Sequence, residues 1–322
     1  MRPTRQLLKT GWRLSAQMSN KNQLTTNTKM KRDALEVRPK NSFLSNWIGV
    51  TPFFIFTLFF IVLPSVSLVT RAFQDNAGNF TLRNFLDLFS PAILSSYWVS
   101  IRISFATALA GGLLGFLMAY AITVGKLPDG VRSGILTFSG VASNFAGVPL
   151  AFAFVATMGR TGMVTVLLKN VFHINIYNMG FNLYSFLGLS LTYTFFQFPL
   201  MILVITPALD GLKKEWKEAA ENLGASQGMY LRKVLLPILM PSILGGMILL
   251  FGNSFGAYAT AYSLTGGFIN LITIMVGSQI KGDVLYNPGL GYALAVGMVI
   301  VMLIMMIFYY LLRRRSERWL RK

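Results

Sequence analysis

Six apolar stretches, each about as long as a helix needs to cross the hydrocarbon core of a bilayer, alternate with polar segments along the chain. They cover residues 47–70, 98–124, 134–158, 183–209, 238–262 and 290–312. Because a bilayer offers no water to backbone amides, an apolar run of this length predicts a helix that spans it. The pattern therefore predicts an all-α integral membrane protein with six transmembrane helices.

The positive charges are divided unevenly between the polar segments. The segments 1–46, 125–133 and 210–237, with the residues after 312, hold 23 Lys and Arg residues, whereas the opposite loops hold four. Lys and Arg are retained on the cytoplasmic side of membrane proteins. We therefore expect both termini to be cytoplasmic, with a basic tail at 1–46, a membrane domain at 47–312 and a basic tail at 313–322.

Composition excludes several classes of function. Hydrophobic residues make up 54% of the chain, mean hydropathy is +0.56, cysteine is absent and His173 is the single histidine. Disulfides, thiolate metal sites and histidine-based catalysis are therefore not expected. The net charge of +18 does not indicate nucleic-acid binding, because the basic residues lie in loops and tails rather than on a folded face with aromatic residues.

No sequence pattern indicates an enzyme or a bound cofactor. Gly125-Lys126 is followed by leucine and lacks the upstream glycine of a GxxxxGK[ST] phosphate loop. All eleven acidic residues lie outside the six apolar stretches. The sequence therefore does not indicate a carboxylate-based active site. It also does not indicate an ion-coupled secondary transporter, which would be expected to carry an acid within a membrane span.

The segment 210–237 has a pattern of its own. Trp216, Ala219, Ala220 and Leu223 recur at helical spacing, which predicts a short amphipathic helix. Gly224 is placed to end it in the left-handed conformation. A second short helix is expected to run as far as Pro237, because proline begins helices but disrupts their interior. Taken alone, the pattern fits either a surface for a partner protein or an amphipathic segment lying on the lipid.

Glu218-Ala219-Ala220, with glycine four residues later and a Val-x-Leu-Pro sequence ending at Pro237, resembles the EAA loop of inner-membrane permease subunits of binding-protein-dependent ABC importers. Valine in place of isoleucine is the single departure from that pattern. The resemblance implies the type I permease fold, with this loop as a cytoplasmic coupling helix. It also implies that the coupling residues are Glu218, Ala219, Ala220, Gly224, Val234, Leu236 and Pro237.

The same resemblance implies a set of partners. These are a cytoplasmic dimer of ABC ATPases, which binds the ATP, a second permease subunit expected to be a different chain, and an extracytoplasmic solute-binding protein. The chain itself would be a transport subunit without an ATPase site, held in the lipid of a bacterial inner membrane. The outward loop 159–182, with its apolar and aromatic residues, is a candidate docking surface for the binding protein.

Polar residues inside apolar stretches are expensive in a membrane and are the natural candidates for a solute path. We predict that this path is formed by Asn144, Tyr193, Gln197, Asn253 and Tyr258. The alternative is that these side chains form hydrogen bonds between helices, as polar groups in helix bundles often do.

Two segments resemble the branch of the family that contains spermidine/putrescine, ferric iron, thiamine and aminoethylphosphonate permeases. They are "FAGVPLAFAFVATMGRTGMV" and "TPALDGLKKEWKEAAENLGAS". A polyamine is the first candidate solute on this resemblance. However, "GNSFGAYATAYSLTGG" lacks the acids that polyamine subunits tend to carry there. Another solute of the same importer class is the main alternative, and a gradient-driven secondary transporter is the remaining one.

Overall fold

The computed structural model describes residues 42–75, 77–125, 127–281 and 286–317. Most of the basic tail predicted at 1–46, and the last residues of the one at 313–322, lie outside the described residues. Those that are described form helices and the turns between them, with one isolated bridge between Gln74 and Phe80. The predicted all-α class is confirmed.

The helices are numbered here in chain order. They are α1 Ser42–Thr57, α2 Leu63–Ala72, α3 Arg83–Asp87, α4 Pro91–Val124, α5 Asp129–Asn144, α6 Gly147–Met158, α7 Met163–Val171, α8 Phe186–Asp210, α9 Lys214–Asn222, α10 Gln227–Tyr230, α11 Leu236–Phe255, α12 Tyr258–Thr265, α13 Ile272–Lys281 and α14 Pro288–Glu317. Two π-helical turns, Leu58–Val62 and Leu231–Leu235, join α1 to α2 and α10 to α11.

Six helical segments within the described ranges are long and apolar enough to cross a membrane. They are Gly49–Ala72, Pro91–Val124, Gly147–Val171, Phe186–Asp210, Gln227–Phe255 and Pro288–Ser316. The number agrees with the sequence prediction. The bounds of the third and fifth segments do not.

The prediction of one continuous helix over 134–158 is wrong. The chain forms α5, leaves the helical conformation at Phe145 and Ala146, and starts again as α6. Gly147 has φ +74°, which glycine adopts without strain. Pro149 has no N–H to give to the carbonyl of Phe145, so a single helix is not favoured through this point.

The prediction of a boundary at Pro237 is confirmed only in part: α11 begins at Leu236 with Pro237 in its first turn, but helical structure is continuous from Gln227 to Phe255. The π-turn provides the physical reason. Leu236 donates its N–H to Leu231 O, five residues back, so the backbone widens immediately before the proline. A proline ring normally collides with the carbonyl four residues earlier, and the widened turn relieves that collision. Leu63 makes the same bond to Leu58 O immediately before Pro64.

The chain divides into two compact units, 1–65 and 66–322. In the described part of the first unit, the side chains from Gly49 to Ser65 are exposed except for the half-buried Thr57. This surface is rich in aromatic residues, and Phe56 stacks on Phe60 with ring centroids 4.7 Å apart. An apolar helix with so little buried surface needs lipid or another protein around it.

The second unit has a core of two buried clusters. The larger joins α4, α8 and α11 through residues such as Ile122, Met201 and Leu250. The smaller joins α4, α6, α8 and α12, and includes Leu150, Tyr193 and Phe196. Both clusters draw on α4 and α8, which are therefore the central helix pair.

Glycines allow the central pair to approach closely. A Cβ on Gly111 would lie 2.5 Å from Gln197 Cβ, and one on Gly115 would lie 2.5 Å from Met201 Cβ and against the Phe198 carbonyl oxygen. A Cβ on Gly246 of α11 would meet Met201 Sδ at 2.7 Å. Small residues at these positions bring helix backbones together in a membrane, where dispersion contacts replace the hydrophobic effect.

Polar contacts also connect the helices. Thr107 and Ser254 share a buried hydroxyl hydrogen bond of 2.9 Å, and Ser100 Oγ accepts the Ile272 N–H at 2.9 Å. At the C-terminal end of α8, Arg132 Nη2 donates to both carboxylate oxygens of Asp210, at 2.8 and 2.6 Å. This bidentate pair connects two segments that the charge pattern places on the same side of the membrane.

Candidate functional site

The segment after α8 forms a compact projection whose first part is α9. Glu218 and Ala219 are exposed on this helix, whereas Ala220 is 8% exposed. Lys217 and Glu221 lie one turn apart with N and O 3.8 Å from each other, a surface pair that contributes little to stability. The polar face is therefore open to a partner.

The predicted apolar face of α9 is largely exposed. Trp216 is 37% exposed and Leu223 is 88% exposed, so Ala220 is the buried member of the predicted set. Large apolar side chains in such positions indicate a contact surface or a lipid surface. The burial pattern fits both interpretations that the sequence leaves open.

A Schellman motif ends α9, as the sequence predicts for Gly224. Gly224 has φ +77° and donates its N–H to Glu221 O at 2.9 Å, while Ala225 donates to Ala220 O at 3.0 Å. The two bonds satisfy carbonyls that the helix end would leave unpaired. Nothing lies within 4 Å of a Cβ built on Gly224. Backbone conformation, rather than space, makes glycine the suitable residue there.

Ser226 begins the return helix, because its Oγ accepts the Met229 N–H at 3.3 Å. Val234 and Leu236 are half-buried and Pro237 is exposed. Leu235 and Leu239, each 1% exposed, fix the base of the projection in the larger core cluster. Sequence reasoning missed these two anchors, although their spacing of four residues is the signal of one helix face.

The residues of the predicted solute path have two kinds of environment. Asn144, Asn253 and Tyr258 are exposed, and Tyr258 stacks on Tyr262 with centroids 5.5 Å apart. Tyr193 and Gln197 are buried on α8. Tyr193 Oη donates to Ala257 O at 2.6 Å, and Gln197 Nε2 donates to Leu250 O at 2.8 Å.

The two buried side chains hold the segment that carries two of the exposed ones, Asn253 and Tyr258. Leu250 and Ala257 lie on either side of Asn253, and Ala257 immediately precedes Tyr258, so the hydrogen bonds from α8 fix this part of the chain. The Gln197 Oε1 atom is buried without a hydrogen-bond partner among the described residues. A buried amide of this kind has unused capacity to accept a hydrogen bond.

Two interruptions of helical structure meet beside these residues. The break between α5 and α6 follows Asn144, and the one between α11 and α12 precedes Tyr258. Gly147 N–H donates to Thr260 Oγ1 at 2.7 Å and connects them. Non-helical backbone at membrane depth is stable where protein or a water-filled cavity surrounds it. Sequence reasoning missed this pairing, because a local pattern does not reveal which breaks meet.

The segment between α6 and α8, predicted from the sequence to face outward, carries a second surface. Met163 and Val171 on α7 are 69% and 64% exposed. Arg160 lies over the Tyr177 ring at 5.5 Å from its centroid, and Tyr177 Oη donates to Met158 O at 2.8 Å. Burial, and then the neighbouring Tyr184, raise the pKa of Tyr177 against the opposing effects of Arg160 and the backbone bond at Leu183. No cluster of metal-ligating residues occurs in the described parts of the chain.

The arrangement defines a multi-span helical membrane protein with an exposed two-helix projection at one end. Residues 111–318 match the family described as "Binding-protein-dependent transport system inner membrane component". The match covers well over half of the chain and includes the whole 210–237 segment. The chain belongs to this family.

Two curated relatives are similar at low identity. One is the sulfate transport system permease protein CysT of Salmonella typhimurium, 26% identical over 180 residues, which are 55% of this chain and 61% of CysT. The match thus spans less than two thirds of that protein. The other is the spermidine/putrescine transport system permease protein PotB of Haemophilus influenzae, 26% identical over 264 residues, 79% of this chain and 89% of PotB.

A solved structure shares the fold. A chain of a bacterial ABC transporter involved in the import of the acidic polysaccharide alginate superposes with a TM-score of 0.66 at 18% identity, covering 90% of this chain and 99% of that chain. Likeness at this identity establishes the architecture. The predicted ABC importer permease fold is therefore confirmed.

Proposed function

We propose that this chain is the permease subunit of an ATP-driven importer and forms part of the membrane path for a small solute. The supporting observation is the α9 projection, in which an exposed Glu218-Ala219 face is ended by a Schellman turn at Gly224. Membership of the binding-protein-dependent family supports a coupling role for that projection. The ATP is bound by partner subunits, and this chain contributes motion rather than hydrolysis.

The proposed assembly contains a dimer of cytoplasmic ATPases, a second permease subunit of different sequence and an extracytoplasmic binding protein. The α9 projection would contact an ATPase, with both chain termini on the same cytoplasmic side of a bacterial inner membrane. The outward α7 surface would meet the binding protein. The charge asymmetry of the sequence supports this orientation.

Coupling would follow the continuous helix from Gln227 to Phe255. Its 29 residues correspond to roughly 43 Å at the rise of an α-helix, and it is anchored by Leu235 and Leu239. A displacement of α9 would therefore be transmitted along this helix to Asn253 with little loss of amplitude. The Arg132–Asp210 pair would move the start of α5 together with the end of α8.

The solute path would run beside the paired helix breaks, along Asn144, Asn253 and Tyr258, with Tyr193 and Gln197 behind them. We expect Tyr258→Ala to lower uptake severalfold while changing thermal unfolding little, because the side chain is exposed. Tyr193→Phe should instead destabilise the protein by about 1 kcal/mol through the lost hydrogen bond. Uptake by the reconstituted transporter and thermal unfolding in detergent separate the two effects.

Tyr310→Ala is the matched control, since Tyr310 is 59% exposed on α14 and lies far along the chain from the breaks. Equal uptake by Tyr258→Ala and Tyr310→Ala would remove Tyr258 from the path.

A polyamine is the first solute candidate, because the match to PotB covers 79% of this chain. Sulfate is the second, because CysT is 26% identical. A cavity of about 270 Å³ lined by Tyr258 also contains Lys281, and the apolar stretches contain no acid. This cationic side chain beside the proposed path supports sulfate, the anionic second candidate, whereas the coverage of the match to PotB supports the polyamine.

The proposal is tested by purifying the tagged chain from its native membrane in mild detergent. We expect an ATPase, a second permease and a binding protein to be recovered, and the ligand in that binding protein to identify the solute. Uptake of labelled spermidine and of labelled sulfate then ranks the candidates. Absence of an ATPase, even after cross-linking through 215–237, would contradict the importer assignment.

A further inference from the structure

A groove lies between the base of the α9–α10 projection and the last turns of α14. Its volume is about 830 Å³. The side chains that line it are Lys233, Val234, Pro237, Ile238, Met240, Leu244, Leu312, Arg315 and Ser316. It is separate from the paired helix breaks and from the exposed face of α9.

The packing of α11 against α14 explains where the groove is found. A Cβ on Gly252 would lie 2.7 Å from Met302 Cε, and one on Gly245 would lie 3.3 Å from Tyr309 Oη. The helices are therefore in close contact along this stretch. From Leu244 towards the N-terminus of α11, the groove takes the place of this contact. The π-turn at Leu231–Leu235 widens the helix immediately before α11 begins.

The groove has apolar walls and two cationic side chains. Lys233 and Arg315 are both exposed, and none of the lining residues whose side chains the structure describes is acidic. Among the side chains that the structure describes, no carboxylate lies within 4.0 Å of either cation. The remaining lining consists of aliphatic side chains, methionine and proline, with one hydroxyl from Ser316. A ligand that fits must combine an anionic group with a long apolar part.

We propose that this groove binds an anionic phospholipid of the cytoplasmic leaflet. The lipid phosphate lies between Lys233 and Arg315, and one acyl chain lies along Val234, Ile238 and Leu244. Basic pockets between transmembrane helices on the cytoplasmic side recognise anionic headgroups in this way. The inference relies on the proposed orientation of the chain, but not on transport activity or on the identity of the solute.

Occupancy of this site would affect the projection directly. Val234 and Pro237 line the groove and also belong to the predicted coupling residues. A bound acyl chain therefore packs against the base on which α9 and α10 stand. Anionic lipid would hold this base in one position relative to α14.

The test is lipid retention by the full-length chain, measured by native mass spectrometry after exchange into detergent containing equal phosphatidylglycerol and phosphatidylcholine. We expect the wild-type protein to retain phosphatidylglycerol preferentially. Lys233→Gln with Arg315→Gln should lower this retention by roughly fivefold for each charge removed. Leu244→Trp, which fills the groove without changing charge, should also lower retention.

Arg232→Gln with Arg314→Gln is the matched control, because it removes the same charge from residues that do not line the groove. Retention should stay at the wild-type level in this control. Equal losses in the two double variants, equal retention of the two lipids, or displacement by inorganic phosphate alone would each overturn the proposal. The importer assignment could still hold in those cases, because partner recovery tests it separately.

Discussion

Replacing Gly224 with valine is expected to reduce solute uptake by more than about tenfold while leaving membrane insertion intact. At φ +77° an L-residue costs roughly 1–2 kcal/mol, and a β-branched residue costs more. Escape from that strain breaks the Ala225 to Ala220 bond and redirects the chain after α9. The measurements are solute uptake and ATP hydrolysis by the reconstituted transporter. The yield of the variant in the membrane fraction reports membrane insertion.

Two further variants separate backbone strain from loss of flexibility. Gly224→Asn should be milder, because asparagine tolerates the left-handed conformation. Gly228→Ala should be neutral or slightly stabilising, since Gly228 lies in α10 with nothing within 4 Å of an added Cβ. Normal coupled uptake by Gly224→Val would contradict the role assigned to this turn.

Gly115→Ala is expected to destabilise the whole membrane domain by about 1–3 kcal/mol. The added Cβ would overlap the Phe198 carbonyl oxygen and approach Met201 Cβ to 2.5 Å. A backbone oxygen cannot move aside as a flexible side chain can, so α4 and α8 must separate. Because both core clusters include this helix pair, the midpoint of thermal unfolding in detergent should fall by several degrees.

Gly134→Ala provides the comparison, since nothing lies within 4 Å of its Cβ position in α5. There the lower backbone entropy of alanine should raise stability by up to about 1 kcal/mol. If Gly115→Ala unfolded at the same temperature as Gly134→Ala, close packing between α4 and α8 would not limit stability.

Features set by nearby residues could be predicted from the sequence. Apolar runs are enough to give the number of membrane segments and the approximate bounds of four of the six, since each helix satisfies its own backbone. The role of Gly224 in ending α9 could be predicted because the left-handed conformation that closes a helix depends on the identity of that one residue. The break before Gly147 was missed because the prediction of the 134–158 span rested on hydropathy, which does not register the backbone conformation that Gly147 and Pro149 favour.

Features set by partners distant in the sequence could not be predicted. Tyr193 and Gln197 look like any polar residues in an apolar stretch, and only folding reveals that they reach Ala257 and Leu250. The same applies to the meeting of the two helix breaks, which depends on the bond between Gly147 and Thr260. Sequence reasoning therefore identified the segments of the candidate path without their roles.

The π-turn before Leu236-Pro237 sets the angular register of the projection. In a regular helix each residue advances the side-chain direction by about 100°, so the additional residue in a π-turn rotates everything before it by about that angle. Leu235 and Leu239 can therefore face the core while α10 and α9 point in a direction that an uninterrupted helix would not give them. The direction in which the projection points is thus set by one wide turn, whose last residue, Leu235, also packs in the membrane core.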